Sequence, residues 1–196
     1  MYEERGPADV DRRHMASMSG IWSLDYYHGD RGLWKQVLNG WTISPIVTLN
    51  SGPPLNILTG ADKNADSYSS DRPNLVPGIN PFLDSHRPRA VAAKEWFNTA
   101  AFTPNGPGLG IGVGGADGTT PRDYLRSPGY KDVDLGLFRD FNFEKGITLQ
   151  LRGEANNVFN LVSLSAPTAS LSSSQDGVIT SAYPNRIIQL GARITF

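Results

Sequence analysis

Apolar and polar residues alternate one by one along five stretches of this chain, which is the pattern of β-strands with one apolar face. The second stretch contains Pro53 and Pro54, and we expect Leu55, Ile57 and Thr59 to continue that strand after a kink. The alternation predicts an all-β chain with strands at about 14–26, 41–59, 131–143, 147–158 and 186–196.

The connections between these strands differ greatly in length. Glu144–Gly146 is a short hairpin signal with a glycine that tolerates a positive φ, whereas residues 60–130 and 160–184 form long loops. A compact soluble domain rarely holds a loop far longer than about 15 residues without structure of its own. Outer-membrane barrels, in contrast, combine short periplasmic turns with long extracellular loops. The lengths therefore favour an antiparallel up-and-down transmembrane β-barrel.

Aromatic residues gather at one end of the predicted strands. If the short turns face the periplasm, the strand ends on that side carry Trp22–Tyr27, Trp41, Phe141, Phe143 and Phe196. Aromatic rings prefer the boundary between membrane and water, and barrel strands carry them there as a girdle. The clustering supports the barrel independently of the loop lengths.

Five strands are too few to close such a barrel, because single-chain barrels of this class start at about eight strands. An open sheet edge in hydrocarbon leaves backbone groups unpaired, each at several kcal/mol. We therefore expect the chain to be a fragment of a larger barrel. Residues 1–13 lack the apolar segment of a secretory signal, which an internal or misassigned start at Met1 would explain.

A soluble β-sandwich, such as a carbohydrate-binding module, is the alternative. In a sandwich the apolar stripes pack against each other about 10 Å apart. Alternation alone does not separate the two folds, because it does not say which environment the apolar face meets.

Composition removes several function classes. Lys and Arg total 18 and Asp and Glu total 19, so the net charge of −1 lacks the basic excess of a nucleic-acid-binding protein. The absence of cysteine excludes disulfides and thiol chemistry. We expect no enzyme activity and no cofactor, because the chain has no paired carboxylate, Ser-His arrangement or nucleophile elbow.

A set of short motifs follows in order along the chain. They are Asn39-Gly40-Trp41, Ser70-Asp71-Arg72-Pro73-Asn74, Glu95-Trp96-Phe97-Asn98-Thr99-Ala100-Ala101-Phe102, Arg126-Ser127-Pro128-Gly129-Tyr130, Arg152-Gly153-Glu154-Ala155-Asn156-Asn157-Val158-Phe159-Asn160 and Gly191-Ala192-Arg193-Ile194-Thr195-Phe196. In combination they resemble the C-terminal end of TonB-dependent receptors, most closely the Oar-like subgroup with a carboxypeptidase-regulatory-like domain. The resemblance covers about 11–196.

The resemblance implies a barrel of roughly 22 strands in the cell outer membrane, plugged by an N-terminal domain. Family members import scarce ligands such as metal chelates, cobalamin or glycans with energy from the TonB protein. The implied partners are outer-membrane lipid, the rest of the barrel and its plug, TonB and the barrel-assembly machinery. The plug and the TonB-contacting segment are not among these 196 residues, so we expect the chain to supply wall, extracellular loops and an assembly signal.

Three groups of residues are candidates for these roles. We expect lumen-facing charges on the polar faces of neighbouring strands, namely Asp132, Asp134, Asp140, Arg152, Glu154 and Arg193. Aromatic side chains in the long loop at Tyr68, Trp96 and Phe97 are candidate ligand contacts. The resemblance assigns the assembly signal to Leu190, Ala192, Ile194 and Phe196.

Other motifs carry weaker signals. Gly110–Gly115 fits G-x-G-x-x-G, but turn residues follow it where a nucleotide site needs a helix. Asp62–Asp66 has a D-x-N-x-D spacing, yet Ser67 replaces the required glycine and Pro73 the required glutamate, which excludes an EF-hand and leaves only a looser calcium site. The histidines lie far apart in sequence, so we expect no metal site.

Overall fold

The computed structural model describes residues 6–29, 32–62, 67, 71–104, 118–143 and 146–196. The chain divides into two compact units. One, which we call the sheet unit, comprises 14–50, 130–162 and 184–196. The other, which we call the loop unit, comprises 1–13, 51–129 and 163–183.

In its described residues, the sheet unit holds one antiparallel sheet and one short helix. Its elements are β1 (Met15–Ser19), β2 (Trp22–Leu24), α1 (Gly32–Leu38), β3 (Trp41–Asn50), β8 (Tyr130–Asn142), β9 (Thr148–Asn156) and β10 (Ile187–Thr195). The strand order is β1-β3-β8-β9-β10, and β2 also pairs with β3. Every neighbouring pair is antiparallel, as in an up-and-down barrel wall. The three predicted C-terminal strands match β8, β9 and β10 to within about two residues at each end.

The first predicted strand, 14–26, is two short strands with one shared register. Ser19 pairs with Ile46 and Trp22 pairs with Ile43, so β1 and β2 keep the same register against β3, with no bulge between them. The gap between β1 and β2 lies opposite Pro45 of β3, whose carbonyl accepts a hydrogen bond from the Gly20 amide. Proline has no N–H to return that bond, and the ladder is interrupted for this reason.

The second predicted strand, 41–59, is wrong beyond Asn50. Pro53 and Pro54 cannot donate to the ladder, and the chain leaves the sheet after β3. Pro54–Leu55 forms β4 in the loop unit instead, and Ile57 is fully buried there. Gly52 allows this path, since a Cβ at that position would collide with a backbone carbonyl oxygen.

The predicted long loops at 60–130 and 160–184 contain much of a folded unit with its own core. Besides β4, the unit contains β5 (Asn74–Leu75), α2 (Arg89–Lys94), a 3-10 turn (Thr99–Ala101), β6 (Phe102–Thr103) and β7 (Leu125–Arg126). β4 pairs with β7, and β5 pairs with β6. The core consists of Ile57, Phe97, Ala101, Phe102 and Leu125.

Segment 163–183 is joined to this core region by backbone hydrogen bonds on both sides of Leu58. The Leu58 amide donates to the Ala169 carbonyl, and the Leu171 amide donates to the Leu58 carbonyl. The two predicted loops therefore fold together as one unit. Among the described residues, the buried hydrophobic side chains all belong to the loop unit, and none belongs to the sheet.

The strand register divides the sheet into two faces, as the alternation predicts. Directly paired residues lie on the same face. Trp41 pairs with Arg139, Arg139 with Leu151, and Leu151 with Ala192. We call this side of the sheet the apolar face and the opposite side the polar face. The apolar face carries Ala16, Met18, Trp22, Leu24, Trp41, Ile43, Val47, Leu49, Lys131, Val133, Leu135, Leu137, Arg139, Phe141, Leu149, Leu151, Ile188, Leu190, Ala192 and Ile194.

The core of the loop unit generates a stability prediction. Phe97 is 2% exposed and meets Phe102 edge to face at 5.7 Å between ring centroids. Phe97→Ala should destabilise the unit by about 3–5 kcal/mol, seen as faster amide hydrogen exchange across 96–102. Phe82→Ala is the matched control, because Phe82 is 51% exposed in the same unit. Equal loss of protection in both variants would contradict the assigned core.

Candidate functional site

The six predicted lumen charges lie together on the polar face. Gly136 pairs with Glu154, Phe138 with Arg152, and Asp140 with Gln150, so the even-numbered residues of β8 and β9 share one side. Arg193 joins them through its pairing with Gln150. This placement agrees with the prediction that the charges share a face, whereas the lumen itself stays a prediction.

The aspartates of this face bind neutral partners. Asp132 accepts a hydrogen bond from the Tyr130 hydroxyl at 2.9 Å, Asp134 from the Asn157 amide at 3.0 Å, and Asp140 from the Gln150 side chain at 2.9 Å. In the described parts of the strands, no ion pair joins two of the six charges. The three aspartates are therefore held by neutral hydrogen bonds and not by cross-strand salt bridges with the arginines.

Arg152 and Glu154 border a hollow of about 180 Å³ together with residues of β10. Arg152 lies over Gly191, where a Cβ would come 3.0 Å from its Nε atom. The missing side chain at Gly191 makes room for the guanidinium group on the polar face.

The assembly-signal residues of β10 share the apolar face. Leu190, Ala192 and Ile194 pair with Gly153, Leu151 and Leu149 respectively. Leu190 is 86% exposed, and the terminal Phe196 is exposed as well. Their accessibility suits a recognition role, which stays a prediction.

The loop unit contains a cleft of about 410 Å³. Its aromatic wall includes Phe82 and Tyr124, whose ring centroids lie 5.4 Å apart. Trp96 also lines it and is fixed by a hydrogen bond of 2.7 Å from its Nε1 to the Arg126 carbonyl oxygen. The size lies within the range of small-molecule sites, which are concave and mostly apolar with a few polar groups.

Three arginines line the same cleft. Arg87 is held by the carbonyl oxygens of Asp84 at 2.9 Å and Trp96 at 3.4 Å. Arg126 donates to the Asp11 carboxylate at 2.6 Å and to the Gly52 carbonyl oxygen at 3.2 Å. Arg13 completes the set.

Among the described residues that line the cleft, Asp84 supplies one carboxylate. The His86 amide donates a hydrogen bond to it, and this bond is the main reason that the pKa of Asp84 lies below its usual value. The His86 side chain adds to the effect. Together with Asp11, the described residues of the cleft region therefore set two carboxylates against three guanidinium groups.

Two further carboxylates, those of Asp9 and Asp123, lie close together beside Tyr124. Burial raises the pKa of Asp123, and a hydrogen bond with Asp9 raises it further. That same bond and Arg122 lower the pKa of Asp9. Both carboxylates contact Arg122, Asp9 at 3.2 Å and Asp123 at 3.4 Å.

The predicted aromatic contacts have different outcomes. Trp96 does line the cleft. Phe97 is not available to stack on a ligand, because its ring is packed in the core and leaves almost no surface exposed. Tyr68 lies outside the described residues. The cleft residues that sequence reasoning missed come from separate segments with no shared spacing; they are Arg13, Phe82, Arg87, Tyr124 and Arg126.

The weaker motifs gain no support. Gly110–Gly115 and residues 63–66 of the possible calcium loop lie outside the described residues, and the Asp62 carboxylate accepts a hydrogen bond from the Ser67 amide at 2.8 Å. Among the residues with described positions, no cluster of three metal-binding side chains occurs. No helix in the described ranges is long and apolar enough to cross a membrane.

Comparison with known families decides which environment the sheet meets. A family model described as an outer membrane beta barrel domain matches residues 1–189. The chain belongs to this outer membrane beta barrel family. No curated protein and no solved structure gives a significant match.

Membership in the family confirms the predicted fold class and places the barrel in the cell outer membrane. It also explains the exposed apolar face, since outer-membrane barrels turn such a face toward lipid. The soluble β-sandwich that alternation had left open requires those stripes to be buried against each other, and it is therefore wrong for this chain.

Proposed function

We propose that this outer membrane barrel segment is part of a TonB-dependent receptor and that its loop unit captures the imported ligand. The observation that carries the proposal is the pair of open sheet edges. In the described strands, β1 and β2 have β3 as a neighbour on one side, β10 has β9 on one side, and β1 does not pair with β10.

Open edges are incompatible with a finished wall in lipid. Each unpaired backbone group in hydrocarbon costs several kcal/mol, so additional strands must extend the sheet at both edges. A large barrel meets this requirement, and the motif set of this chain resembles receptors with such barrels. The charged polar face then lines a lumen wide enough for a plug.

The topology supports an extracellular start for both long connections. The β8–β9 connection is a short hairpin at the aromatic end of the sheet, where Asn142 pairs with Thr148. The connections after β3 and β9 leave from the opposite end, where Asn50 pairs with Tyr130 and Ile187 with Asn156. Short turns of such barrels lie in the periplasm, so the opposite end of the sheet is extracellular. The two long connections therefore leave the sheet on the extracellular side, from which ligand arrives.

Dependence on TonB is tested by crosslinking in intact cells. Formaldehyde treatment followed by capture of this chain from outer membranes should yield a product that contains TonB. An unrelated outer-membrane barrel captured from the same cells is the control and should yield none. Efficient capture of the folded barrel with no TonB in the product would contradict the receptor assignment.

The cleft indicates the chemical class of the ligand. Its aromatic wall suits a flat or apolar body, and the excess of guanidinium groups over carboxylates suits an anion. Guanidinium groups bind carboxylates and phosphates in a bidentate geometry. We infer a small organic anion with an aromatic or apolar body.

A pair of probes separates charge from shape. The NMR signals of benzoate should broaden when the full chain in lipid nanodiscs is added. They should broaden more than the signals of benzamide, which has a similar shape without the charge. Arg87→Gln should weaken benzoate binding by about 10- to 100-fold, as expected for a charged hydrogen bond of roughly 1.5–3 kcal/mol. Benzamide binding should be unaffected.

Arg122→Gln is the control, because Arg122 belongs to the same unit and is not one of the residues that line the cleft as described. Arg87→Lys keeps the charge and should restore part of the benzoate affinity. Equal binding of benzoate and benzamide, or an equal loss in the Arg122 variant, would contradict the anion site.

A further inference from the structure

An arginine of the sheet lies on the apolar face. Arg139 of β8 pairs with Trp41 on one side and Leu151 on the other, so its side chain projects from the lipid-facing surface. An arginine on that surface costs about 2–4 kcal/mol at the bilayer midplane and about 0–1 kcal/mol near the membrane boundary. The free-energy cost of Arg139 therefore depends on its depth in the membrane and on the groups that surround it.

Arg139 is covered by aromatic rings and by α1. Its guanidinium carbon lies 5.2 Å from the centroid of the Trp41 ring and 4.5 Å from that of Phe141. Its Nη1 atom donates to the Val37 carbonyl oxygen at 2.8 Å, and the residue is buried. The Trp41 Nε1 atom donates to the same carbonyl at 2.9 Å.

These two hydrogen bonds place the last turn of α1 over the apolar face. A cation at a helix C-terminus is favoured by the helix dipole and by the unpaired carbonyls of the last turn. Arg139 and α1 thus stabilise each other. The helix lies on the outer surface of the wall.

The chain after α1 is fixed to the same end of the sheet. Gly40 has a φ of 78°, and its amide donates to the Leu24 carbonyl and to the Asp25 carboxylate. The Asn39 side chain donates to the Tyr27 carbonyl and accepts from the Tyr27 amide. These contacts fix where the helix ends.

The outer surface of α1 is apolar and uncovered in the described structure. Trp34 is 52% exposed, Val37 55% and Leu38 49%. The helix lies at the level of the aromatic end of the sheet, where Trp41 and Phe141 hold Arg139. Its apolar surface is therefore continuous with the lipid-facing surface of the barrel.

We propose that α1 is an interfacial anchor that lies in the headgroup layer of the outer membrane, with Trp34, Val37 and Leu38 in contact with the acyl chains. Helices of this kind bury an apolar side about 5–10 Å into the boundary region. Lys35, which is exposed, reaches the phosphate layer from the same turn. Arg139 then sits at the depth where its charge is least unfavourable.

A single spin label tests the anchor, since the chain contains no native cysteine. Val37→Cys is labelled with a nitroxide in the full chain reconstituted in phospholipid vesicles. The measurement is the ratio of its accessibility to oxygen, which concentrates in lipid, over that to a water-soluble nickel chelate. The ratio at position 37 should be severalfold higher than at the control and should correspond to a shallow depth.

Val91→Cys is the matched control, because Val91 is an exposed valine on the short helix α2 of the loop unit. Equal ratios at positions 37 and 91 would overturn the anchor. Dipolar coupling between labels at position 37 of two barrels would also overturn it, since α1 would then meet a second copy. Neither result would bear on TonB dependence, because the anchor requires only an outer-membrane barrel.

Discussion

The pairing of backbone groups within the β-ladder is the constraint on which the sheet depends. In hydrocarbon no water replaces a missing hydrogen bond, so every strand must be paired on both sides. The ladder also determines the faces, because residues paired across strands share a side. One register from β1 to β10 therefore produces both the apolar surface and the charged surface opposite it.

The packed hydrophobic core lies in the loop unit for the same reason. A wall whose apolar side meets lipid has no need to bury that side against protein, and its hydrophobic side chains are exposed or half-buried. The loop unit has no such lipid-facing wall and instead buries Ile57, Phe97 and Leu125. The two units thus use apolar residues in opposite ways.

Strand faces were predictable from sequence because side chains alternate with a period of two. The ends of the first two predicted strands were not, since they depend on donors that proline lacks: Pro45 interrupts the ladder that β1 and β2 form with β3, and Pro53 directs the chain out of β3. The cleft was also beyond prediction, because Arg13, Phe82 and Tyr124 are distant in sequence and only the fold of the loop unit brings them together. Alternation did place Arg139 on the apolar face, but it could not predict that α1 covers this side chain.

Neighbouring residues of β10 offer the most direct test of which face meets lipid. Leu190 lies on the apolar face, and Gln189 lies on the polar face opposite Glu154. In denaturant titrations of the barrel in vesicles, Leu190→Arg should lower the free energy of unfolding by about 2–4 kcal/mol. Gln189→Arg should leave it nearly unchanged, because its new charge lies beside a carboxylate. Equal effects at the two positions would contradict the assigned faces.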